Sequence, residues 1–209
     1  IKLNAGEIGV FRTNYTPKLW IALAHAVECG ELSLRDRLGL VRDVFDLAYA
    51  GELSAVQALD FVPAYKNETN YAVWGEILSG LNRVYRLIER DACAPLFRQY
   101  SLGILEPMVE KVGWSKKETD EHIDILLRSL ILGSAGVFGN EKVVERAQKM
   151  FQSIKKGENP VPPDLRGVVY GTVARHGEGV EHAKMIEMYK TLTLHEEKNR
   201  IGAALGYFK

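Results

Sequence analysis

The string His195-Glu196-Glu197-Lys198-Asn199 opens like the H-E-x-x-H zinc motif, in which two imidazoles one helical turn apart hold the metal. Position 199 is asparagine, so the second ligand is missing, and Glu196 has a simpler use as the partner of Thr193 in a helix-capping box. The remaining histidines are His25, His122, His176 and His182. Two cysteines, Cys29 and Cys93, cannot build a disulfide framework or a zinc site alone, and both lie in apolar helical context where cysteine behaves as a small buried hydrophobe. There is no G-x-S-x-G nucleophile elbow. The glycine clusters Gly133–Gly139 and Gly177–Gly179 do not follow a strand, as a phosphate cradle requires, and read as helix ends. Asn14-Tyr15-Thr16 and Asn67-Glu68-Thr69 are formal glycosylation sequons, a match expected about once by chance among eight asparagines. No catalytic residue and no metal ligand is expected in this chain.

Two groups of cations remain. Asn82-Arg83-Val84-Tyr85-Arg86-Leu87-Ile88-Glu89-Arg90 gathers Arg83, Tyr85, Arg86 and Arg90 on or near one helix. It reads either as a solvated face with an Arg86–Glu89 pair or as a cationic binding face. Arg128 sits within Ile125-Leu126-Leu127-Arg128-Ser129-Leu130-Ile131-Leu132. In so apolar a helix an arginine must pair, snorkel or face a water-filled hollow. If the helices form a concave stack, such cations could line its wall and receive a carboxylate.

The elements that would position these residues are mostly helical. Leu34, Leu38, Val41, Phe45 and Ala48 share one helical face, with Arg35, Asp36, Arg42 and Asp43 elsewhere. Ser54…Gln57, Ser115…Glu118 and Thr193…Glu196 fit capping boxes, and Ser33…Asp36 is a weaker relative. Gly30, Gly51, Gly113 and Gly177 mark stops, and Pro17, Pro95 and Pro163 suit first turns. This punctuation predicts helices near 17–29, 34–50, 54–66, 70–90, 93–112, 116–134, 140–155, 164–176, 180–190 and 194–207. They fall into antiparallel pairs repeating about every 40 residues, the spacing of HEAT- or armadillo-like α-superhelices. Lys155–Pro163 is the one long break, expected as a surface loop open to proteolysis. Residues 1–15 differ: two β-branched and aromatic runs flank Ala5-Gly6-Glu7, predicting a β-hairpin from a sheet whose other strands lie outside the chain. The expected organisation is therefore the end of a truncated β-sandwich over 1–15 and a helical-repeat domain over 16–209, cut at its C-terminal end. Both ends suggest a piece of a longer protein.

Composition excludes several classes. Lysine plus arginine and aspartate plus glutamate both number 27, so there is no net positive field for general nucleic-acid binding. No apolar run approaches the roughly 18 residues of a membrane span, and no signal peptide opens the chain. A cytoplasmic location is the expectation.

Three segments resemble the zinc aminopeptidases. Lys2-Leu3-Asn4-Ala5-Gly6-Glu7-Ile8-Gly9-Val10-Phe11-Arg12-Thr13-Asn14-Tyr15 is similar to the K-x-N-x-G-x-x-G-[FY]-[YF]-R-x-x-Y stretch that closes their β-sandwich. The segment Asp36–Ala48 resembles D-R-x-x-L-x-x-D-x-F-x-L-A in their first long C-terminal helix. Asp164-Leu165-Arg166-Gly167-Val168-Val169-Tyr170 and Glu196-Glu197-Lys198-Asn199-Arg200-Ile201 resemble D-L-R-x-x-V-Y…E-E-K-x-R-I deeper in that domain. The resemblance spans essentially the whole chain and is nearest the puromycin-sensitive branch of the family.

The resemblance implies a non-catalytic C-terminal domain, a concave helical wall that closes over the active site and shapes peptide access. The zinc and the catalytic motifs would lie in the rest of the polypeptide, whose catalytic domain and peptide substrates would be the partners. In related enzymes a tyrosine–lysine pair and an arginine on these helices hold the peptide's C-terminus. The matching strings here make Tyr85, Arg86 and Arg128 the candidate carboxylate contacts, with arginine in place of lysine. A free-standing HEAT-like scaffold with a protein partner in its groove is the alternative, and Lys2–Tyr15 separates the two, because a scaffold has no use for an orphan hairpin.

Overall fold

The computed structural model describes residues 1–155 and 157–208, so Lys156 of the expected linker lies outside the described residues. Ten α-helices run in order: α1 (Pro17–Glu28), α2 (Leu34–Tyr49), α3 (Ala55–Phe61), α4 (Tyr71–Ile88), α5 (Ala94–Val112), α6 (His122–Phe138), α7 (Glu141–Gln152), α8 (Pro163–His176), α9 (Gly179–Thr191) and α10 (His195–Leu205). The chain divides into two compact units, Ile1–Pro107 and Met108–Lys209. The division falls inside α5 at Pro107, where the helix lacks one backbone donor.

Local chemistry explains most boundaries. Pro17 and Pro163 occupy first turns, and Ser54 with Gln57 forms the expected capping box. Ser33 Oγ accepts from the Asp36 amide. Two expected starts differ. Ser115…Glu118 caps nothing, because α6 starts at His122 behind a box made by Glu121 and Asp124. Thr193…Glu196 is likewise unused: α10 starts at His195, and Glu196 pairs with Arg200 instead. At α6 a carboxylate supplies what a hydroxyl was expected to supply, Glu178 with Glu181 does the same at α9, and at α10 the N-cap residue Leu194 makes no side-chain capping bond.

In the first unit α2 packs on α4, with α1 and α3 against the 3-10 turn Val62–Tyr65. Leu40, Val41, Val44, Val73, Trp74, Ile77 and Leu81 form its core. Gly80 admits the Phe45 ring, which would sit only 2.3 Å from an added Cβ. In the second unit α8 is central, flanked by α6, α7, α9 and α10 around Ile131, Leu132, Phe138, Phe151, Val169, Tyr170 and Ile201. Gly136 plays the same part there, with Thr172 Oγ1 2.2 Å from the place of its missing Cβ.

Residues 1–15 correct the β-hairpin expectation. No strand occurs among the described residues; a 3-10 turn spans Ala5–Glu7, and the single β-bridge is Lys155 to Glu158. A hairpin without neighbouring strands is marginal in water. Here side chains satisfy the backbone instead: Asn4 accepts from the Gly9 amide (2.7 Å) and donates to its carbonyl (2.9 Å). The Tyr15 hydroxyl bridges the Leu3 amide and carbonyl. Residues 157–163 of the expected break are also tied down, with Val161 buried and Asn159 donating to Tyr170.

Candidate functional site

Arg128 lies on α6 with 4% of its surface exposed. Its Nε donates to the Val112 carbonyl at 3.1 Å and its Nη2 to the Asp120 carboxylate. The Lys117 amide and this guanidinium hold the Asp120 carboxyl below its ordinary range. Arg128 thus pairs and also lines a hollow, a cavity of about 450 Å³ on the second unit. Trp114, Ile125, Met150, Val161 and Leu165 make its walls apolar, while Lys116 and Arg146 add two exposed cations against the single acid Asp164. Among the described residues neither Lys116 nor Arg146 has an ion-pair partner within 4.0 Å. The arrangement suits an anionic group carried on an apolar body. Two serines, Ser115 and Ser153, also line it, and Ser153 Oγ donates to the Met150 carbonyl.

Tyr85 and Arg86 belong to the first unit, on the last turns of α4. Tyr85 stacks on Phe97 with centroids 6.1 Å apart and planes 8° apart. Arg86 is exposed, and the Arg86–Glu89 pair is absent among the described residues. Arg83 is engaged instead, with Asp46 at 3.1 Å and over the Tyr49 ring at 4.2 Å. Lys116, Arg146 and Trp114 escaped sequence reasoning because the α5–α6 connection and α7 bring them to Arg128 from far along the chain.

The chemistry-like strings resolve into structural clamps. Glu197 is 3% exposed and accepts from the Tyr170 hydroxyl (3.2 Å) and from Arg200, with Arg166 at 3.4 Å. Burial beside this carboxylate pushes the Tyr170 phenol up to about 12. The D-L-R…Y and E-E-K-x-R strings therefore meet as one staple of α8 to α10. The other two strings also meet. Lys2 pairs with Glu7 (2.8 Å) and Asp36 (3.2 Å), the Gly6 amide donates to Asp36 (2.7 Å), and Arg12 reaches Asp46 (2.9 Å). Glu7 enters α2 at Gly39, where a Cβ would stand 1.9 Å from its Oε1. Arg37 holds the buried Glu68 at 2.7 Å.

The histidines are dispersed. His25 lies 3.6 Å from Cys29 Sγ, His176 contacts the Gly136 carbonyl, and His182 packs on Phe208. No group of three or more His, Cys, Asp or Glu among the described residues is placed to hold a metal ion. Both cysteines are exposed, which corrects the expectation of burial: Cys29 and Cys93 sit at helix ends, where apolar neighbours in sequence do not cover them. No single helix among the described residues is long and apolar enough to cross a membrane.

The chain is similar to known proteins from end to end. Residues 1–209 match the family described as the ERAP1-like C-terminal domain. Aminopeptidase M1-A of Oryza sativa subsp. japonica is 29% identical over 212 residues, covering 98% of this chain and 24% of that protein. Alanine/arginine aminopeptidase of Saccharomyces cerevisiae is 29% identical over 211 residues, covering 100% of this chain and 24% of its own length. Human glutamyl aminopeptidase is 28% identical over 205 residues, covering 96% of this chain and 21% of its own length. The chain thus spans about a quarter of the length of the curated relatives it matches. With its paired strings, helical build and end-to-end match, it belongs to the ERAP1-like C-terminal domain family of aminopeptidases.

Proposed function

We propose that this chain is the non-catalytic wall of a zinc-dependent aminopeptidase, closing over an active site held elsewhere in the polypeptide and shaping peptide access. The observation that carries this reading is the match of all 209 residues to a C-terminal domain, over only about a quarter of aminopeptidase relatives. Its helices are then the repeats of a HEAT-like superhelix, and its partners are the catalytic domain and peptide substrates, in a cytoplasmic enzyme. Among the described residues no group of three or more His, Cys, Asp or Glu is placed to hold a metal ion, and the reading assigns the zinc to the rest of the polypeptide. Their work is to bind and to exclude water: a preformed wall that meets the catalytic domain on closure shields the reacting bond from solvent. Arg128, with Lys116 and Arg146 beside it, receives a peptide carboxylate, while Tyr85 and Arg86 offer a second cationic contact. Asp120 and the Val112 carbonyl hold the Arg128 guanidinium in place before substrate arrives, so little side-chain freedom is lost on binding.

In the whole enzyme, Arg146→Ala is expected to raise KM for long peptides about tenfold, the worth of one hydrogen bond to a charged group, without changing turnover of single aminoacyl amides. Tyr85→Phe and Arg128→Ala should act in the same direction. Equal losses on long and short substrates would mean that these residues only support the fold.

A further inference from the structure

Asp43, on α2, turns its carboxyl to residues 1–15, with 2% of its surface exposed. Its Oδ2 accepts one hydrogen bond, from the Thr13 amide at 3.2 Å, and its Oδ1 has no hydrogen-bond donor. The nearest cation, Arg12 Nε, stands 3.7 Å from Oδ1 and is nearer Asp46, at 2.9 Å. Other charged groups lie on the elements packed around it. Glu7 and Lys2 come from the same segment, Asp36 and Asp46 from α2 itself, and Arg83 of α4 is engaged by Asp46. The buried Tyr65 phenol approaches from the 3-10 turn, its proton given to the Arg37 carbonyl. Thr13 Oγ1, in the residue that binds Asp43, is a second buried atom without a partner. An ionised carboxylate is thus enclosed with one backbone donor, a shared cation and the like charge of Glu7, a poor exchange for water.

We propose that Asp43 is a proton-operated latch: residues 1–15 grip α2 most tightly when its carboxyl is protonated and loosen when it is ionised. Burial, assisted by Glu7 and opposed by the Thr13 amide, Arg12 and Lys2, pushes the carboxyl up to about 6. In a segment lifted off α2 the same group faces water and returns to its ordinary 3.8. The docked state therefore takes up a proton between these values, and docking weakens as pH rises through 6. The other clamp has the opposite sign. Lys2, the Gly6 amide and the Ser33 hydroxyl hold Asp36 below its ordinary range despite burial, so that clamp fails only in stronger acid. The grip is strongest in between. This latch belongs to residues of this chain alone and stands whether or not the cavity at Arg128 binds peptide.

The test is amide hydrogen exchange of the 209-residue chain, corrected for intrinsic rates. Protection at Thr13 should fall about tenfold between about pH 5 and about pH 7.5 while amides at the centre of α2 and in the second unit keep theirs. In Asp43→Asn, an uncharged variant of the same shape, the fall should vanish. Titration of the Asp43 carboxyl by NMR gives a second readout that needs no variant and should place its midpoint near 6. A midpoint below 4, an equal fall in Asp43→Asn, or a fall shared by all of α2 would each overturn the proposal.

Discussion

Glu197→Ala tests the claim that the E-E-K-x-R-I string is a staple. The substitution removes the acceptor of the Tyr170 hydroxyl and leaves Arg166 and Arg200 without their shared carboxylate. Breaking a buried pair costs about 3–5 kcal/mol when the survivor is fully enclosed. Here the survivors keep 19% and 31% of their side-chain surface in water, which moves the expectation to the lower end, about 3 kcal/mol. For a unit of this size that lowers the urea midpoint by about 1.5–2 M. Unfolding should be followed by exchange at Val169 and Val173 on α8, which report the second unit directly, beside the Thr13 and α2 amides of the first. Glu197→Gln keeps the shape and the acceptor for Tyr170 while losing the charge, so it should fall between wild type and Ala. A loss under about 1 kcal/mol in Glu197→Ala, the range of exposed pairs, would refute the staple.

Two further outcomes follow from close approaches and from carboxylates. Gly136→Ala places a methyl 2.2 Å from Thr172 Oγ1 and should cost about 1–3 kcal/mol by forcing α6 from α8; adding Thr172→Ala should recover most of it, as chemical denaturation will show. Asp36 and Glu68 are both held below their ordinary range, Glu68 against burial by Arg37 and by the Asn70 and Thr69 amides. Their stabilisation is present above about pH 4.5 and lost as pH falls through the depressed values, so circular dichroism should show the first unit melting in acid below about pH 4. A flat thermal stability between about pH 5 and about pH 3 would count against those clamps.

Helix order was legible because the signals are local. A serine with a glutamine three residues on, or a proline in a first turn, acts on backbone groups within one turn, and Ser54, Pro17 and Pro163 behave as read. Ser115 misled because a capping string needs only that some acceptor reach the orphan amides, and Glu121 reached them first at α6; Thr193 misled because α10 starts behind Leu194 with no side-chain cap. Residues 1–15 carried a genuine β signal with nothing to pair against. Strand propensity measures fit to neighbouring strands, so without them Asn4, Tyr15 and the α2 carboxylates decide the conformation.

The functional side of the sequence inverted the usual expectation about suggestive residues. The charged strings at Asp36-Arg37 and Glu196-Glu197 spend their charge on other elements of the fold: Asp36 on Lys2, Arg37 on Glu68 and Glu197 on Arg166. The residues that line the cavity at Arg128 are mostly ones that no string singled out. Arg128 was visible as an anomaly, a cation in an apolar helix, as well as through the family resemblance, and the anomaly had a physical cause: Asp120 and the Val112 carbonyl make its burial tolerable. Trp114, Lys116 and Arg146 are ordinary surface residues in sequence and become a site only when the α5–α6 connection and α7 converge on α6. The proposed peptide-facing wall would use such a lining, with Lys116 and Arg146 free of ion pairs among the described residues and Arg128 held rigid, since strength at any single contact would tie turnover to one sequence.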